Sequence, residues 1–199
     1  MTYAYIKDWS KSTFKNIEKL FNVDIIAPKN TMEIGVFEGK TTFWMLDNYP
    51  SIKSHIAIDP FRGNYNISDD VLDMIEDRFY ENMTYCKSAE SKLTFIKSKS
   101  TEALYNVHKE HDFIYIDGDH TANVVLNDLV LSFNALRTGG VLLCDDATNW
   151  KYTDHANGNK SGDISLCPRL AIDAFIHCNW KNLEVLTLPA NNQVAIKKI

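Results

Sequence analysis

The chain has 199 residues, of which 45% are hydrophobic, and a formal net charge of −5. This length and hydrophobic content predict one globular domain over residues 1–199 with a sizeable core. Charges of both signs are spread along the chain, which argues against a nucleic-acid polymer as partner but leaves a single nucleotide open as a substrate.

Segments that would direct the chain to a membrane or out of the cell are not predicted. Residues 1–14 mix aromatic, basic and acidic side chains, unlike the apolar segment of a signal peptide. No apolar run reaches the roughly 18 residues that a membrane span needs. The four cysteines form no C-x-x-C pair and match no common zinc spacing, so we expect reduced thiols in a cytoplasmic protein.

In the first half of the chain, apolar spacing predicts alternating helices and short strands. An N-terminal helical segment covers residues 1–30, with its helix at 12–21. The predicted elements that follow are a strand at 31–36, a helix from 41, a strand at 55–58, a helix at 68–80 and a strand at 93–96. We expect the many carboxylates of the helix at 68–80 to form a solvated face.

In the second half, the apolar run 112–116 predicts a strand that is buried on both faces. An amphipathic helix at 122–136 is expected to stop at Gly139 and Gly140, because glycine is common at helix ends. The other predicted elements are a short helix at 100–108, a strand at 141–144, a mobile active-site loop at 150–165, a helix at 168–178 and strands at 183–188 and 193–197.

This order of elements predicts an α/β fold. We expect a doubly wound, mostly parallel sheet of seven strands that closes with an antiparallel hairpin. In such sheets, ligands bind outside the carboxyl ends of the strands. The residues that directly follow each strand are therefore the candidate site residues.

The ends of the first three predicted strands carry features that suit a nucleoside ligand. Gly35 and Gly39 can let the backbone turn sharply and approach a ligand, although the third glycine of the dinucleotide motif G-x-G-x-x-G is missing. Asp59, 20 residues beyond Gly39, can accept hydrogen bonds from both hydroxyls of a ribose. Ser98 and Ser100 could contact an adenine ring, and Ser100 could equally cap the next helix.

The ends of the fourth and fifth predicted strands are acidic. The fourth is followed by Asp117, Asp119 and His120, and the fifth by Asp145 and Asp146. Carboxylates brought together at neighbouring strand ends repel one another and resist ionising together. A hard divalent cation such as Mg²⁺ would relieve that repulsion, so we predict a metal here. The alternative is that some of these residues only cap a helix or hold a loop.

Together, these strand-end residues resemble the class I S-adenosylmethionine-dependent methyltransferases. Segments 33–42, 117–120 and 139–146 look closest to a subgroup that contains macrocin-type sugar O-methyltransferases, the novobiocin-pathway methyltransferase and proteins called cephalosporin hydroxylases. The resemblance covers residues 31–146, and the closing hairpin also fits the family sheet. The chain departs from the pattern at Phe37 and Glu38, where a smaller or more glycine-rich turn is common. It is also short for the subgroup, so the substrate cannot be carried over.

The resemblance implies a role for each matching residue. The implied cofactor-binding residues are Glu33, Gly35, Gly39, Thr41, Asp59, Ser98, Ser100 and Asp117. Within this set, the glutamate and the glycines line the pocket for the methionine and ribose parts of S-adenosylmethionine, Asp59 holds the ribose hydroxyls, and the serines lie near the adenine. The implied metal ligands are Asp117, Asp145 and Asp146. Asp119 matches a position proposed as the general base, and His120 is the competing base.

The predicted reaction is methyl transfer to a hydroxyl group of a sugar or another small molecule. A metal would lower the pKa of that hydroxyl, and the loop at 150–165 would exclude water. Candidates for contacting the acceptor are Trp150, Tyr152 and His155. Three alternatives remain: a metal-free enzyme with His120 as base, a nucleotide-dependent oxidoreductase, and a nucleoside-binding module without catalysis. A homo-oligomer is possible.

Overall fold

The computed structural model describes residues 2–6, 8–22, 25–62, 67–107, 110–147 and 164–199. These residues form a seven-stranded sheet with the strand order β3-β2-β1-β4-β5-β7-β6. Strands β1 to β5 pair in parallel, and β7 pairs antiparallel with both β5 and β6. The predicted α/β class, with a mostly parallel sheet and a closing hairpin, is confirmed.

The elements lie close to their predicted positions. The strands are β1 (Asn30–Ile34), β2 (Ser54–Ile58), β3 (Leu93–Ile96), β4 (His111–Ile116), β5 (Leu136–Cys144), β6 (Leu183–Leu186) and β7 (Val194–Lys198). The helices are α1 (Lys11–Leu20), α2 (Lys40–Asn48), α3 (Asp69–Tyr85), α4 (Ala89–Lys92), α5 (Ser100–Ala103), α6 (Ala122–Ala135) and α7 (Pro168–Asn179). Short 3₁₀ turns follow α5 and flank α7. Helix α3 extends beyond its predicted end, and the short helix α4 was not predicted.

The core consists of two layers, one on each face of the sheet. Along β4, Phe113 and Tyr115 face the layer that includes α1, α2 and α3, whereas Ile114 and Ile116 face the layer that includes α6 and α7. Every residue of β4 is buried, as the apolar run predicted. Full burial of one such apolar side chain contributes roughly 1.5–3 kcal/mol to folding stability. The central strand is therefore firmly held, and so is the position of the residues that follow its carboxyl end.

The helix end predicted at Gly139 and Gly140 is wrong. Helix α6 ends at Ala135, and both glycines lie inside β5, where the register with β4 shifts between His111 and Phe113. Gly139 has a φ of +80°, and a Cβ on Gly140 would lie 2.8 Å from a Leu136 side-chain carbon. The glycines therefore permit an irregularity in the strand, because Gly139 adopts a backbone angle that other residues rarely adopt and Gly140 has little room for a Cβ.

Part of one prediction lies outside the described residues. The loop predicted at 150–165, with Trp150, Tyr152 and His155, falls there except for its last residues, which begin a 3₁₀ turn at Ile164–Leu166. None of the helices in the described ranges is both long enough and apolar enough to cross a lipid bilayer.

Candidate active site

The turn after β1 brings two strand ends together. Gly35 and Gly39 have φ angles of +81° and +79°. A Cβ on Gly35 would lie 2.1 Å from the Asp117 carbonyl oxygen, and one on Gly39 would lie 2.2 Å from the Phe43 ring. Both glycines thus permit close packing within the protein. At Gly35 this packing sets the turn beside the acidic residues that follow β4.

Asp59, directly after β2, holds this turn by accepting hydrogen bonds from its backbone amides. Its Oδ2 accepts hydrogen bonds from the Val36 and Phe37 amides at 2.9 and 3.1 Å, and its Oδ1 accepts one from the Phe61 amide at 2.7 Å. Phe37 needs such support, because its φ of +50° is uncommon for a bulky residue. Burial raises the pKa of Asp59, against the three amide hydrogen bonds. A carboxylate has about four acceptor positions, and three are used here, so one remains for the predicted ribose contact.

Glu33 lies in β1 and is almost fully buried. Its Oε2 accepts a hydrogen bond from the Thr42 hydroxyl of α2 and lies 3.8 Å from His55 Nε2. Burial raises the pKa of Glu33 to about 8, although the Thr42 hydrogen bond opposes the shift. Glu33 is therefore protonated at neutral pH. Thr41, in the first turn of α2, is also buried.

The two predicted adenine contacts follow β3. The Ser98 hydroxyl lies 3.3 Å from both the Lys99 carbonyl oxygen and Glu102 Oε2. Ser100 is the first residue of α5, and Lys99 occupies the capping position, so Ser100 is not the cap of this helix. Ser100 instead lies beside the carboxyl group of Asp128, whose pKa burial raises to about 7.

The acidic ends of β4 and β5 meet at one place. Asp117, His120 and Asp146 each offer a ligand atom within 4.8 Å of the others. His120 Nε2 lies 3.1 Å from Asp146 Oδ2. Loss of solvation raises the pKa of Asp117 well above its usual range, and the charges of Asp145 and Asp146 raise it further. The carboxylates predicted at these strand ends therefore lie close enough for the charges of two of them to raise the pKa of the third.

Asp145 is surrounded by hydrogen-bond donors. Its Oδ1 accepts from the Asp146 amide at 2.7 Å and from Asn192 Nδ2 at 3.3 Å, and its Oδ2 accepts from Gln193 Nε2 at 2.8 Å. The Tyr115 hydroxyl contacts Asp145 Oδ2 and also lies 2.8 Å from Asp117 Oδ2. This hydroxyl has one proton and can donate to only one of the two carboxylates. Whichever of Asp117 Oδ2 and Asp145 Oδ2 does not receive this proton keeps a free acceptor position, which suits a cation.

The sequence did not reveal Tyr115, Asn192 or Gln193 as parts of this site. Tyr115 carried a usable signal, because a residue two positions before Asp117 in a strand lies on the same face of the sheet. Asn192 and Gln193 carried none. They lie in the closing hairpin, and only the pairing of β7 with β5 brings them to the acidic strand ends.

The two predicted bases are placed differently. Asp119 Oδ1 accepts hydrogen bonds from the Thr121 amide at 2.7 Å and the Thr121 hydroxyl at 2.6 Å, so it shapes the turn before α6. His120 is a member of the group with Asp117 and Asp146. Both predicted bases nevertheless line one cavity at this edge, together with Asp117, Asp145, Asp146 and Pro168 of α7.

Several curated relatives and many solved structures resemble this chain. A tapetum-specific methyltransferase from Arabidopsis thaliana is 31% identical over 134 residues, which are 64% of this chain and 50% of that protein. Caffeoyl-CoA O-methyltransferase from Stellaria longipes is 25% identical over 166 residues, which are 80% of this chain and 58% of that protein. The chain thus spans only about half the length of these relatives.

The similar structures share the fold at low identity. An O-methyltransferase from Bacillus cereus in complex with SAH matches with a TM-score of 0.68 and 16% identity, over 98% of this chain and 84% of that one. The SAH-bound Podospora anserina methyltransferase PaMTH1 matches with a TM-score of 0.66 and 16% identity, over 98% of this chain and 80% of that one.

The family comparison covers the central part of the chain. A family model described as a methyltransferase domain matches residues 32–147, which include the glycine turn, Asp59 and the acidic ends of β4 and β5. The predicted family is confirmed at this level, and the narrower sugar-methyltransferase subgroup stays a prediction. The chain belongs to the methyltransferase-domain family.

Proposed function

We propose that the protein is an S-adenosylmethionine-dependent O-methyltransferase that acts on a hydroxyl group of a sugar or another small molecule. The observation that carries this proposal is the group formed by Asp117, His120 and Asp146, directly beside the glycine turn of a methyltransferase-family domain. The name of one of these curated relatives, caffeoyl-CoA O-methyltransferase, supports an oxygen acceptor. The proposed acceptor class rests on the resemblance to the sugar O-methyltransferases.

The cofactor would lie across the ends of β1, β2 and β3. When bound, S-adenosylmethionine supplies a methyl group made electrophilic by its sulfonium. Asp59 keeps one acceptor position for a ribose hydroxyl, and the N-terminus of α2 offers free N–H groups. The proposed binding residues are Glu33, Gly35, Gly39, Thr41, Asp59, Ser98, Ser100 and Asp117. Because Glu33 is protonated, its carboxyl group can donate a hydrogen bond as well as accept one.

A divalent cation, with Mg²⁺ as first candidate, would be held by the predicted ligands Asp117, Asp145 and Asp146. Asp117 and Asp146 belong to the group with His120, whereas Asp145 is outside that group but lines the same cavity. The donor set fits, because these are carboxylate oxygens and Tyr115 can satisfy only one of its two carboxylate partners. A cation bound there supplies a Lewis acid that lowers the pKa of an acceptor hydroxyl. The hydrogen bonds that Asp145 accepts are compatible with this role, since ligating carboxylates are themselves held by neighbours.

His120 is the better placed of the two predicted bases. The His120 imidazole would accept the proton of the acceptor hydroxyl, while the hydroxyl oxygen would take the methyl group that the cofactor supplies and leave the cofactor as a neutral thioether. Asp146, 3.1 Å from His120 Nε2, stabilises the imidazolium that forms. Asp119 is engaged by Thr121, so its proposed contribution as a base requires that turn to open.

Titration calorimetry with S-adenosylhomocysteine, first without and then with Mg²⁺, tests this function. We expect micromolar binding that Asp59→Ala removes, and a metal signal that Asp117→Ala removes. Asp73→Ala, at an exposed carboxylate of α3, is the matched control and should bind like the wild type. Absence of S-adenosylhomocysteine binding under both conditions would contradict the proposal. Nicotinamide cofactors and free nucleotides would then be tested.

A second candidate is methyl transfer without a metal. The 3.1 Å contact between His120 and Asp146 favours it, because a histidine held by a carboxylate can act as a base by itself. The two candidates differ in their response to a chelator. Excess EDTA should abolish transfer to a hydroxylated acceptor in the first case and leave it unchanged in the second.

A further inference from the structure

The side-chain amide of Gln193 joins three parts of the fold. Its Nε2 donates to Asp145 Oδ2 and to Thr13 Oγ1, both at 2.8 Å, and its Oε1 accepts from Asn16 Nδ2 at 2.7 Å. Gln193 is 4% exposed, and Asn16 is fully buried. Both N–H groups and the carbonyl oxygen of this amide are therefore engaged inside the protein, between α1, the closing hairpin and the acidic strand ends.

Asn16 extends this network to the backbone of the hairpin. Its Oδ1 accepts from the Ala190 amide at 3.0 Å, and its Nδ2 lies 3.3 Å from the Ala190 carbonyl oxygen. Helix α1 is thus joined to the hairpin by buried and partly buried hydrogen bonds between neutral groups. An unmade bond of this kind costs about 1–3 kcal/mol, so the network favours one arrangement of the two elements.

The network continues from Gln193 towards the predicted base. Asp145 Oδ1 accepts from the Asp146 amide at 2.7 Å, so the orientation of the Asp145 carboxylate also holds the Asp146 backbone. Asp146 has a φ of +53°, an uncommon value that needs support from its surroundings. Its side chain in turn contacts His120 at 3.1 Å. A continuous set of contacts therefore leads from α1 to the imidazole.

We propose that Gln193 is a positioning residue of this protein, which fixes the Asp145 carboxylate and thereby the geometry of the acidic group. Its consequence for metal binding rests on the proposed function, whereas its local effect on residues 145–147 does not. Methyl transfer is largely a matter of alignment, and a displacement of about 1 Å at a reacting group can cost a hundredfold in rate. The N-terminal helix and the C-terminal hairpin would both contribute to that alignment.

Gln193→Met is the informative variant, because methionine fills a similar volume but offers no N–H donor. Hydrogen exchange followed by mass spectrometry should show at least tenfold faster exchange in a peptide that covers residues 145–147. The Asp146 and Ala147 amides there depend on Asp145 and on the hairpin, respectively. Thr13→Val is the second variant and serves if Gln193→Met does not fold. It removes only one hydrogen-bond acceptor of Gln193, so the increase in exchange should be smaller.

Asn179→Ala is the matched control. Asn179 donates a side-chain hydrogen bond to the Phe175 carbonyl oxygen at 2.9 Å, at the end of α7 that lies about 16 Å from Pro168 by helix rise. This variant loses an amide of the same kind without touching the network. Exchange at residues 145–147 should remain as in the wild type.

A second readout measures the affinity for Mn²⁺ and for S-adenosylhomocysteine by calorimetry. We expect Gln193→Met to weaken Mn²⁺ binding about tenfold and to leave S-adenosylhomocysteine binding within threefold of the wild type. A general loss of structure would weaken both. If the wild type binds neither probe, the proposed function fails, and hydrogen exchange alone decides the role of Gln193. Wild-type exchange at residues 145–147 in both Gln193→Met and Thr13→Val would overturn the inference.

Discussion

Asp59 follows β2 and Asp145 follows β5 at the same edge of the sheet, but the hydrogen-bond partners of the two carboxylates differ in kind. Asp59 accepts three hydrogen bonds, all from backbone amides of the turns that it holds. Asp145 accepts one from a backbone amide and two from side chains of the closing hairpin, and it also contacts the Tyr115 hydroxyl of β4. The glycine-turn region is therefore built mainly by main-chain geometry. The acidic region depends on which side chains distant segments supply.

The largest effect is expected where main-chain geometry decides. Gly35→Ala would place a Cβ 2.1 Å from the Asp117 carbonyl oxygen at a φ of +81°, so the ends of β1 and β4 must separate. We expect a loss of about 4 kcal/mol or more in the free energy of unfolding, measured by urea denaturation. Gly139→Ala is the control: its Cβ would meet only the end of the Arg137 side chain, and the loss should be about 1–2 kcal/mol. Equal losses would contradict this account.

The second prediction concerns Asp59. In Asp59→Asn, the amide group has one acceptor oxygen instead of two, so at least one of the three backbone amides loses its partner. We expect the free energy of unfolding to fall by about 1–3 kcal/mol and the binding of S-adenosylhomocysteine to weaken at least tenfold. Denaturation and calorimetry on the same samples measure the two effects. Unchanged stability would show that the turn does not depend on this carboxylate.

The third prediction is a pH dependence that belongs to Glu33. Its pKa is about 8 in the folded protein against 4.5 for the free side chain, so unfolding releases a proton between these values. The stability that this group contributes is complete below pH 4.5 and is lost as the pH rises towards 8. Between pH 6 and 7 we expect the wild type to lose ~1.4 kcal/mol more stability than Glu33→Gln, because other buried carboxyl groups with raised pKa values, such as Asp128, titrate in both proteins. Glu90→Gln, at an exposed position of α4, should keep the wild-type dependence.

The smallest effect has the opposite sign and tests the acidic region. In Asp146→Asn, one of the mutually repelling charges is removed, and asparagine tolerates the φ of +53° at this position. At pH 8 and in EDTA, we expect the free energy of unfolding to rise by about 0.5–1 kcal/mol. In a separate titration without EDTA, Mn²⁺ binding should weaken. A fall in stability would mean that the contact with His120 outweighs the repulsion. The comparison with Asp59→Asn, which should destabilise, separates the two regions directly.

Several features of the fold could be predicted because they depend on local rules. Alternating apolar runs identified the strands, and the fully apolar run of β4 identified the central one. The predicted stop at Gly139 and Gly140 failed because glycine serves both helix ends and strand irregularities. Which of the two applies depends on the register between β4 and β5. No local pattern contains that information.

The sequence by itself determined the α/β order of elements, the family resemblance and the carboxylates that follow the strands. These follow from hydrophobic periodicity and from the rule that parallel strands present their carboxyl ends at one edge. Only the tertiary structure decided that Asp117, His120 and Asp146 form one group, that Asp119 holds a turn, and that Gln193 reaches Asp145. The reason is distance along the chain: Gln193 and Asp145 are 48 residues apart, and only the pairing of β7 with β5 brings them within 2.8 Å.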